Sequence, residues 1–202
     1  MTAAPHAPDT PRRPDGPLYR RLVSCDRAVS RSIAYRLPHP ARFTRVLGAF
    51  SRCGDHGYVW YALGAVPLLA RRPGAGRRFA YVAGGQVGAE VVTHLVKIRV
   101  RRLRPPHVEG DPNGYIHQPT SHSFPSAHAS MGVVGVATLG RLFPRARLPL
   151  AGLLAVLAFT RVYLRVHYAA DVLAGLAFGS GLAALYVRLV RLPSGDGPER
   201  PS

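Results

Sequence analysis

The run Leu173–Val187 reads LAGLAFGSGLAALYV and carries no charged side chain. Small residues at close intervals let helix backbones approach each other in a lipid bilayer, so the run favours a membrane span over a buried helix of a soluble bundle. Four more apolar segments precede it, and the set predicts an all-α, integral-membrane helical bundle of about five transmembrane helices. The five segments are Tyr58–Ala70, Phe79–Val96, Ala129–Phe143, Leu148–Leu164 and Asp171–Val190.

The two ends of the chain have a different composition. Residues 1–17 and 193–202 are rich in proline, glycine and charged side chains, which predicts two disordered tails. The N-terminal arginines are followed by proline-rich sequence and not by an apolar stretch, so a signal peptide is not expected. Between the tails, residues 58–192 are predicted to form the membrane domain, and residues 18–57 an interfacial segment ahead of it.

The interfacial segment has the pattern of a basic amphipathic helix. From Leu18 to Leu37, apolar residues recur at helical spacing with arginines between them. Such a helix is expected to lie flat on an anionic membrane surface, which makes anionic membrane lipids a predicted partner. A second short helix is predicted from Ala41 to Phe50.

The net charge also points to an anionic partner. The chain has 27 Lys and Arg residues against 10 Asp and Glu, a formal charge of +17. This excess suits an acidic membrane surface, a phosphorylated substrate or a nucleic acid. No basic face is interleaved with aromatic residues and no nucleic-acid motif is present, so nucleic acid is not expected. Cys25 and Cys53 lack metal-type spacing and are predicted to be free thiols.

A polar stripe ends the second apolar segment. Gln86, Glu90, His94 and Lys97 follow one another at intervals of 4, 4 and 3, so they share one face of a helix. Ionisable groups within a span are costly and usually face a functional interior. We therefore predict that Glu90 and His94 orient Lys97, the single lysine of the chain. A helix end that reaches the membrane interface is the alternative for His94 and Lys97.

Two more polar clusters lie at segment ends. Ser126 precedes the third segment, where the free amides of Ala127 and His128 at a helix N-terminus predict an anion site. Taken alone, Ser126 also fits a simple helix cap, and His128 an interface histidine. His167 and Asp171 are four residues apart, so the carboxylate can orient the imidazole and favour the cation formed when histidine attacks an electrophile.

Together these clusters resemble the signature of the type 2 phosphatidic acid phosphatase superfamily. That signature is a Lys, six residues and Arg-Pro; then Pro-Ser-Gly-His; then Ser-Arg, five residues, His, three residues and Asp. Every gap between the motif residues agrees with this signature, and the resemblance covers residues 58–190. Two positions differ, with Ala127 in place of Gly and Thr160 in place of Ser, and neither change removes a reactive group. The motifs here are Lys97 to Arg104-Pro105, Pro125 to His128, and Thr160-Arg161 through His167 to Asp171.

The resemblance implies roles for the motif residues in a reaction without metal or other cofactor. His167 would attack phosphorus to give a phosphohistidine, with Asp171 orienting it. His128 would protonate the leaving alkoxide and then activate water. The phosphate oxygens would be held by Lys97, Arg104, Ser126, Ala127 and Arg161. Solvent or lipid-headgroup contacts are expected for the neighbouring Arg99, Arg101, Arg102, Arg165, His117 and His122.

The expected protein is a lipid phosphate phosphatase, a multi-pass enzyme of a bacterial cell membrane. Small members of the superfamily with a Ser-Phe-Pro-Ser-Ala-His second motif resemble cell-envelope enzymes, which implies a prenyl phosphate or diphosphate, or decaprenylphosphoryl phosphoribose, as substrate. Phosphatidylglycerol phosphate and phosphatidic acid are the alternatives. Soluble acid phosphatases and vanadate-dependent haloperoxidases resemble the site but lack spans, and a non-enzymatic basic membrane-binding protein has only the charge in its favour. The sequence makes no prediction of oligomeric state.

Overall fold

The computed structural model describes residues 16–105 and 119–192, which form seven α-helices and two short 3-10 helices and contain no strand. The predicted all-α fold is confirmed. The predicted tails lie outside the described residues except for Gly16 and Pro17, and His117 also lies outside them. The helices are α1 Pro17–Arg36, α2 Ala41–Arg52, α3 Tyr58–Leu69, α4 Ala75–Val100, α5 Ala127–Leu142, α6 Arg147–Tyr163 and α7 Ala169–Leu189, with 3-10 turns at Asp55–Gly57 and Pro144–Ala146.

Prolines and glycines set the helix ends. Pro17 occupies the first turn of α1, where a missing N–H costs nothing, and Pro38 follows its last turn. Gly57 and Gly74 have φ of 74° and 67° immediately before α3 and α4. Such left-handed backbone is accessible to glycine at no steric cost. The observed ends agree with the sequence prediction to within a few residues.

Helix α5 is the centre of the bundle and contacts α3, α4, α6 and α7. Its contact with α7 is unusually close at two glycines of the uncharged run. A Cβ atom on Gly175 would lie 2.6 Å from the Ser126 carbonyl oxygen, and one on Gly179 would lie 2.5 Å from the Ser130 carbonyl oxygen. The glycines therefore let the two backbones touch, which brings the start of α7 against the start of α5.

Two helical stretches are long and apolar enough to cross a membrane, Pro144–Tyr163 and Ala169–Leu189. Only 22% of the best window of the second stretch is buried inside the protein, so most of its apolar surface faces outward. The predicted number of five spans stays a prediction. Helix α1 is present as expected and packs against α6 and α7, while its location at a membrane surface stays a prediction.

The close contact between α5 and α7 yields a stability prediction. Gly179→Ala places a methyl group against backbone that cannot rotate away, and overpacking of this kind costs about 1–3 kcal/mol. We expect a lower free energy of unfolding and a lower Tm. Gly181→Ala is the matched control, since nothing lies within 4 Å of its added Cβ. There the better helix propensity of alanine should leave Tm equal or higher. Equal melting of the two variants in detergent would contradict the prediction.

Candidate active site

His167 lies in the turn between α6 and α7 and is 2% exposed. Its Nδ1 is 3.6 Å from Oδ2 of Asp171, in the first turn of α7, and its Nε2 is 3.1 Å from Nη1 of Arg104. Because a guanidinium can only donate, Nε2 accepts this hydrogen bond and Nδ1 carries the ring proton, on the side of the carboxylate. The lone pair of Nε2 is thus directed toward the cations of the site.

The surroundings of His167 keep its ring neutral. Burial lowers the pKa of the His167 imidazole to about 3, against the opposing effect of the nearby Asp171 carboxylate. Neighbouring cations add to the lowering of this pKa: Arg161, Arg104 and Lys97. At neutral pH the imidazole is therefore uncharged, which is the form that can act as a nucleophile.

The Asp171 carboxylate is fully buried and satisfied by donors from separate segments. Arg102 donates to Oδ1 at 2.6 Å, and the Tyr168 amide donates to Oδ2 at 3.0 Å. The Ser123 hydroxyl also donates to Oδ2 and lies 3.4 Å from Nδ1 of His167. A buried carboxylate that accepts several hydrogen bonds is held in one orientation, so the His167 ring is fixed by a rigid partner.

Helix α1 supports this carboxylate. Asp26 accepts a 2.8 Å hydrogen bond from the Ala170 amide, and Ser30 accepts one of the same length from the Ala169 amide, so α1 caps the start of α7. Asp26 also pairs with Arg102 at 2.5 Å, and Arg102 thereby bridges Asp26 and Asp171. The expectation of solvent or lipid contacts for Arg102 was wrong, because the sequence did not show that α1 folds back onto this loop.

Three cations predicted to bind phosphate surround the same space. Lys97 and Arg161 are 5% and 2% exposed, and within the described residues neither they nor Arg104 forms an ion pair with a carboxylate. Cations without internal counter-ions form a site for an external anion. Their hydrogen-bond acceptors are uncharged: the His122 carbonyl oxygen for Lys97 (2.7 Å), the Ser121 and Val166 carbonyl oxygens for Arg104 (2.8 Å each) and the Ser51 hydroxyl for Arg161 (2.6 Å).

Two buried polar atoms of the motif residues have no hydrogen-bond partner among the residues that the structure describes. They are Oγ of Ser126 and Nε of Arg161. Ser126 precedes α5 without capping it, and Ala127 and His128 are the first two residues of that helix. Leaving a buried donor unsatisfied costs about 1–3 kcal/mol. A bound phosphate oxygen would satisfy such donors, together with the free amides at the start of α5.

His128 is held by the segment between α2 and α3. Its Nε2 lies 3.1 Å from the Ser51 carbonyl oxygen and 3.2 Å from Oδ1 of Asp55. Gly54 makes this approach possible, since a Cβ there would lie 2.6 Å from Cδ2 of His128. Burial raises the pKa of the Asp55 carboxyl, but the hydrogen bond and charge of His128 and the charge of Arg161 outweigh it, so the net pKa is below its usual range.

The predicted site residues at the segment ends come together at one end of the bundle. The Ser126 amide donates to the Asp171 carbonyl oxygen at 3.0 Å, which joins the starts of α5 and α7. Ser51 joins the other half, because its hydroxyl accepts from Arg161 and its carbonyl oxygen contacts His128. The second and third motifs therefore share a single cluster of contacts with the end of α2.

The structure does not place Glu90 and His94 against Lys97. Glu90 pairs with His56 at 2.5 Å, and His94 is exposed. The helical spacing of the polar stripe showed that its residues share one face of α4, but not which neighbouring helix that face contacts. Glu90 and His94 lie at the border of the buried face. That face of α4 consists of Val82, Gln86, Ala89, Thr93 and Lys97.

Sequence reasoning missed the supporting residues Asp26, Ser51, Asp55 and Ser123. One signal was present for the acids, because residues 16–105 and 119–192 contain four carboxylates in all and three of them lie in this network. In a chain this basic, an acidic residue in a polar turn is a candidate partner for a catalytic group. Among the described residues, no group of three His, Cys, Asp or Glu side chains is arranged to hold a metal ion.

This geometry defines a class of protein: a helical enzyme with a buried, neutral histidine aimed at an anion site. Residues 78–193 match the family model of the PAP2 superfamily. Decaprenylphosphoryl-5-phosphoribose phosphatase of Mycobacterium tuberculosis is 34% identical over 139 residues, 67% of this chain and 73% of that protein. Undecaprenyl-diphosphatase of Sulfolobus acidocaldarius is 31% identical over 134 residues, 65% of this chain and 64% of that protein.

A solved structure has the same fold. The transmembrane PAP2 type phosphatidylglycerolphosphate phosphatase from Bacillus subtilis superposes with a TM-score of 0.64 at 19% identity, covering 86% of this chain and 90% of that one. The chain belongs to the PAP2 superfamily, which confirms the resemblance drawn from the motifs. It is a membrane protein and an enzyme, a phosphatase that hydrolyses phosphoric esters.

The depressed pKa of His167 predicts how stability depends on pH. The pKa is about 3 in the folded protein and about 6.5 in an unfolded chain, so between these values the unfolded state binds the extra proton. Stability should therefore be lost as the pH falls below about 6.5. His167→Gln removes this titration and should flatten the decline of apparent Tm toward about pH 4.5. Melting curves in detergent measure both slopes, and identical slopes would contradict the assignment.

Proposed function

We propose that this enzyme hydrolyses a lipid phosphate through a phosphohistidine formed on His167, without a metal ion. The observation that carries the proposal is the Nε2 lone pair of a neutral, buried imidazole beside cations that have no carboxylate partner within the described residues. Three fixed cations and a helix N-terminus supply positive charge where a phosphoryl group would gain negative charge. A metal ion would otherwise supply that charge.

The proposed reaction has two steps. Nε2 of His167 attacks phosphorus, the bond between phosphorus and the ester oxygen breaks, and His128 gives a proton to the leaving alkoxide. Water then attacks the phosphorus of the P–N bond, His128 takes a proton from that water, and inorganic phosphate leaves with His167 restored. Asp171 stabilises the ring during both steps. Because Nε2 of His128 faces Ser51 and Asp55, Nδ1 is the nitrogen left to exchange this proton.

The proposed substrate class is a prenyl phosphate or diphosphate, or decaprenylphosphoryl phosphoribose. Sequence identity of 34% to a phosphatase named for the latter supports this choice, as does 31% identity to an undecaprenyl-diphosphatase. Phosphatidylglycerol phosphate, after which the Bacillus subtilis phosphatase is named, is the second candidate, but 19% identity to that protein shows the fold alone. We further propose a multi-pass location in a bacterial cell membrane, with the arginines of α1 on its anionic surface.

Phosphate release from purified enzyme tests the proposal. In neutral detergent with EDTA, the wild-type protein should release phosphate from at least one of these lipids, and His167→Ala should lower kcat by roughly 10³-fold or more. Cys53→Ser is the control variant, because it changes an exposed side chain in the turn after α2, and it should retain the activity of the wild type. An alkaline quench during turnover of a ³²P-labelled lipid should leave label on the peptide that contains His167. Loss of activity in EDTA that added metal restores, or label on another peptide, would refute the mechanism.

Asp55 is predicted to act as a positioning residue for His128. Asp55→Asn removes the charge that favours the protonated imidazole, so kcat should fall by about 10- to 100-fold. The basic limb of the kcat profile should also move to lower pH, because less His128 carries its proton at a given pH. Glu90→Gln is the matched control, since it removes a carboxylate that pairs with His56. An unshifted pH profile in Asp55→Asn would contradict this role and show that Asp55 contributes only to packing. Partial recovery of kcat in Asp55→Glu would support a carboxylate that positions His128.

A further inference from the structure

A cavity of about 460 Å³ adjoins His167, the proposed nucleophile. It lies between α1 and the turn that joins α6 to α7, and His167 and Tyr168 line it. None of Lys97, Arg104 and Arg161 lines it. His167 therefore borders both this space and the cations that are predicted to bind phosphate. Its volume is within the range of small-molecule sites, about 300–1,000 Å³.

The wall of this cavity carries positive charge. Arg27 and Arg31 lie one turn apart on α1, both are exposed, and neither forms an ion pair within residues 16–105 and 119–192. Arg165 contributes a third guanidinium, which lies 3.8 Å from the centroid of the Tyr35 ring and donates to the Ala34 carbonyl oxygen. Among residues 16–105 and 119–192, no residue that lines the cavity is acidic. A concave surface of this kind attracts an anionic group.

Helix α1, which bears Arg27 and Arg31, is anchored to the start of α7. Its residues Asp26 and Ser30 accept hydrogen bonds from the first amides of α7, and Asp26 pairs with Arg102. Asp26 is thereby engaged and does not neutralise Arg27 or Arg31.

We propose that the cavity binds a second anionic group of the substrate, at a place lined by none of the three cations that would hold the phosphoryl group that is hydrolysed. The ligand class is a lipid-linked sugar phosphate, in which a phosphodiester joins the lipid to the sugar and the sugar bears the phosphate ester that is cleaved. Lys97, Arg104 and Arg161 would bind the phosphate that is hydrolysed. The arginines of α1 would then bind the phosphodiester group. This inference rests on the proposed function and narrows its substrate.

A double variant tests the cavity. Arg27→Gln/Arg31→Gln is compared with wild type in neutral detergent free of anionic lipid, on a prenyl monophosphate and on a prenylphosphoryl phosphoribose of the same chain length. We expect kcat/KM for the two-phosphate lipid to fall by about 10- to 100-fold, mainly through KM, because charge-assisted hydrogen bonds are lost. The monophosphate should change by no more than about twofold.

The matched control removes the same charge from the same helix outside the cavity. Arg21→Gln/Arg36→Gln should leave the ratio of the two kcat/KM values unchanged, since neither residue lines the cavity. Equal losses on both substrates, or equal effects of the two double variants, would overturn the proposal and assign the arginines of α1 to the membrane surface.

Measurements of lipid binding to an inactive variant test the cavity independently of the hydrolysis reaction. In the His167→Ala background, the two-phosphate lipid should bind more tightly than the monophosphate, and adding Arg27→Gln/Arg31→Gln should abolish the difference. This outcome supports the cavity even if the wild-type enzyme hydrolyses neither lipid, a result that would refute the proposed substrates alone. Equal binding of the two lipids to His167→Ala would refute the proposed role of the cavity, but it would not refute the proposed phosphatase function.

Discussion

The burial of the Asp171 carboxylate is the constraint on which the site depends. A charged oxygen removed from water must find hydrogen-bond donors, and here Arg102, Ser123 and the Tyr168 amide supply them. These donors come from the segment after α4, the segment before α5 and the start of α7. One buried charge thereby fixes three chain segments relative to one another, and the ring of His167 is fixed with them.

The cations impose the complementary constraint. Lys97, Arg104 and Arg161 repel one another, and burial separates them from water, so their arrangement costs stability while the site is empty. Hydrogen bonds to carbonyl and hydroxyl oxygens offset part of that cost without neutralising the charge. The protein thus retains a positive field at the place where the oxygens of a phosphoryl group would gain negative charge.

Local features of the sequence predicted the helices and the motif residues, but not the contacts between distant segments. Proline and glycine positions gave the helix ends, and motif spacing indicated His128, His167 and Asp171. The partners of these residues could not be predicted, because a helical period does not show which segment folds against which. Asp55 and Asp26 reach the site from the α2–α3 turn and α1, both outside the matched family region. The predicted contact between Glu90 and Lys97 is absent for a related reason, because spacing along the sequence does not fix how a helix is rotated about its axis.

The capping of α7 by α1 ties the signature residues to a helix outside the matched family region. The match to the family model starts at residue 78, whereas α1 lies before that region and still supports the start of α7. Without α1, the amides of Ala169 and Ala170 would lose their acceptors, and Arg102 would lose Asp26. A shortened enzyme would retain every signature residue and still have unsatisfied groups beside its nucleophile.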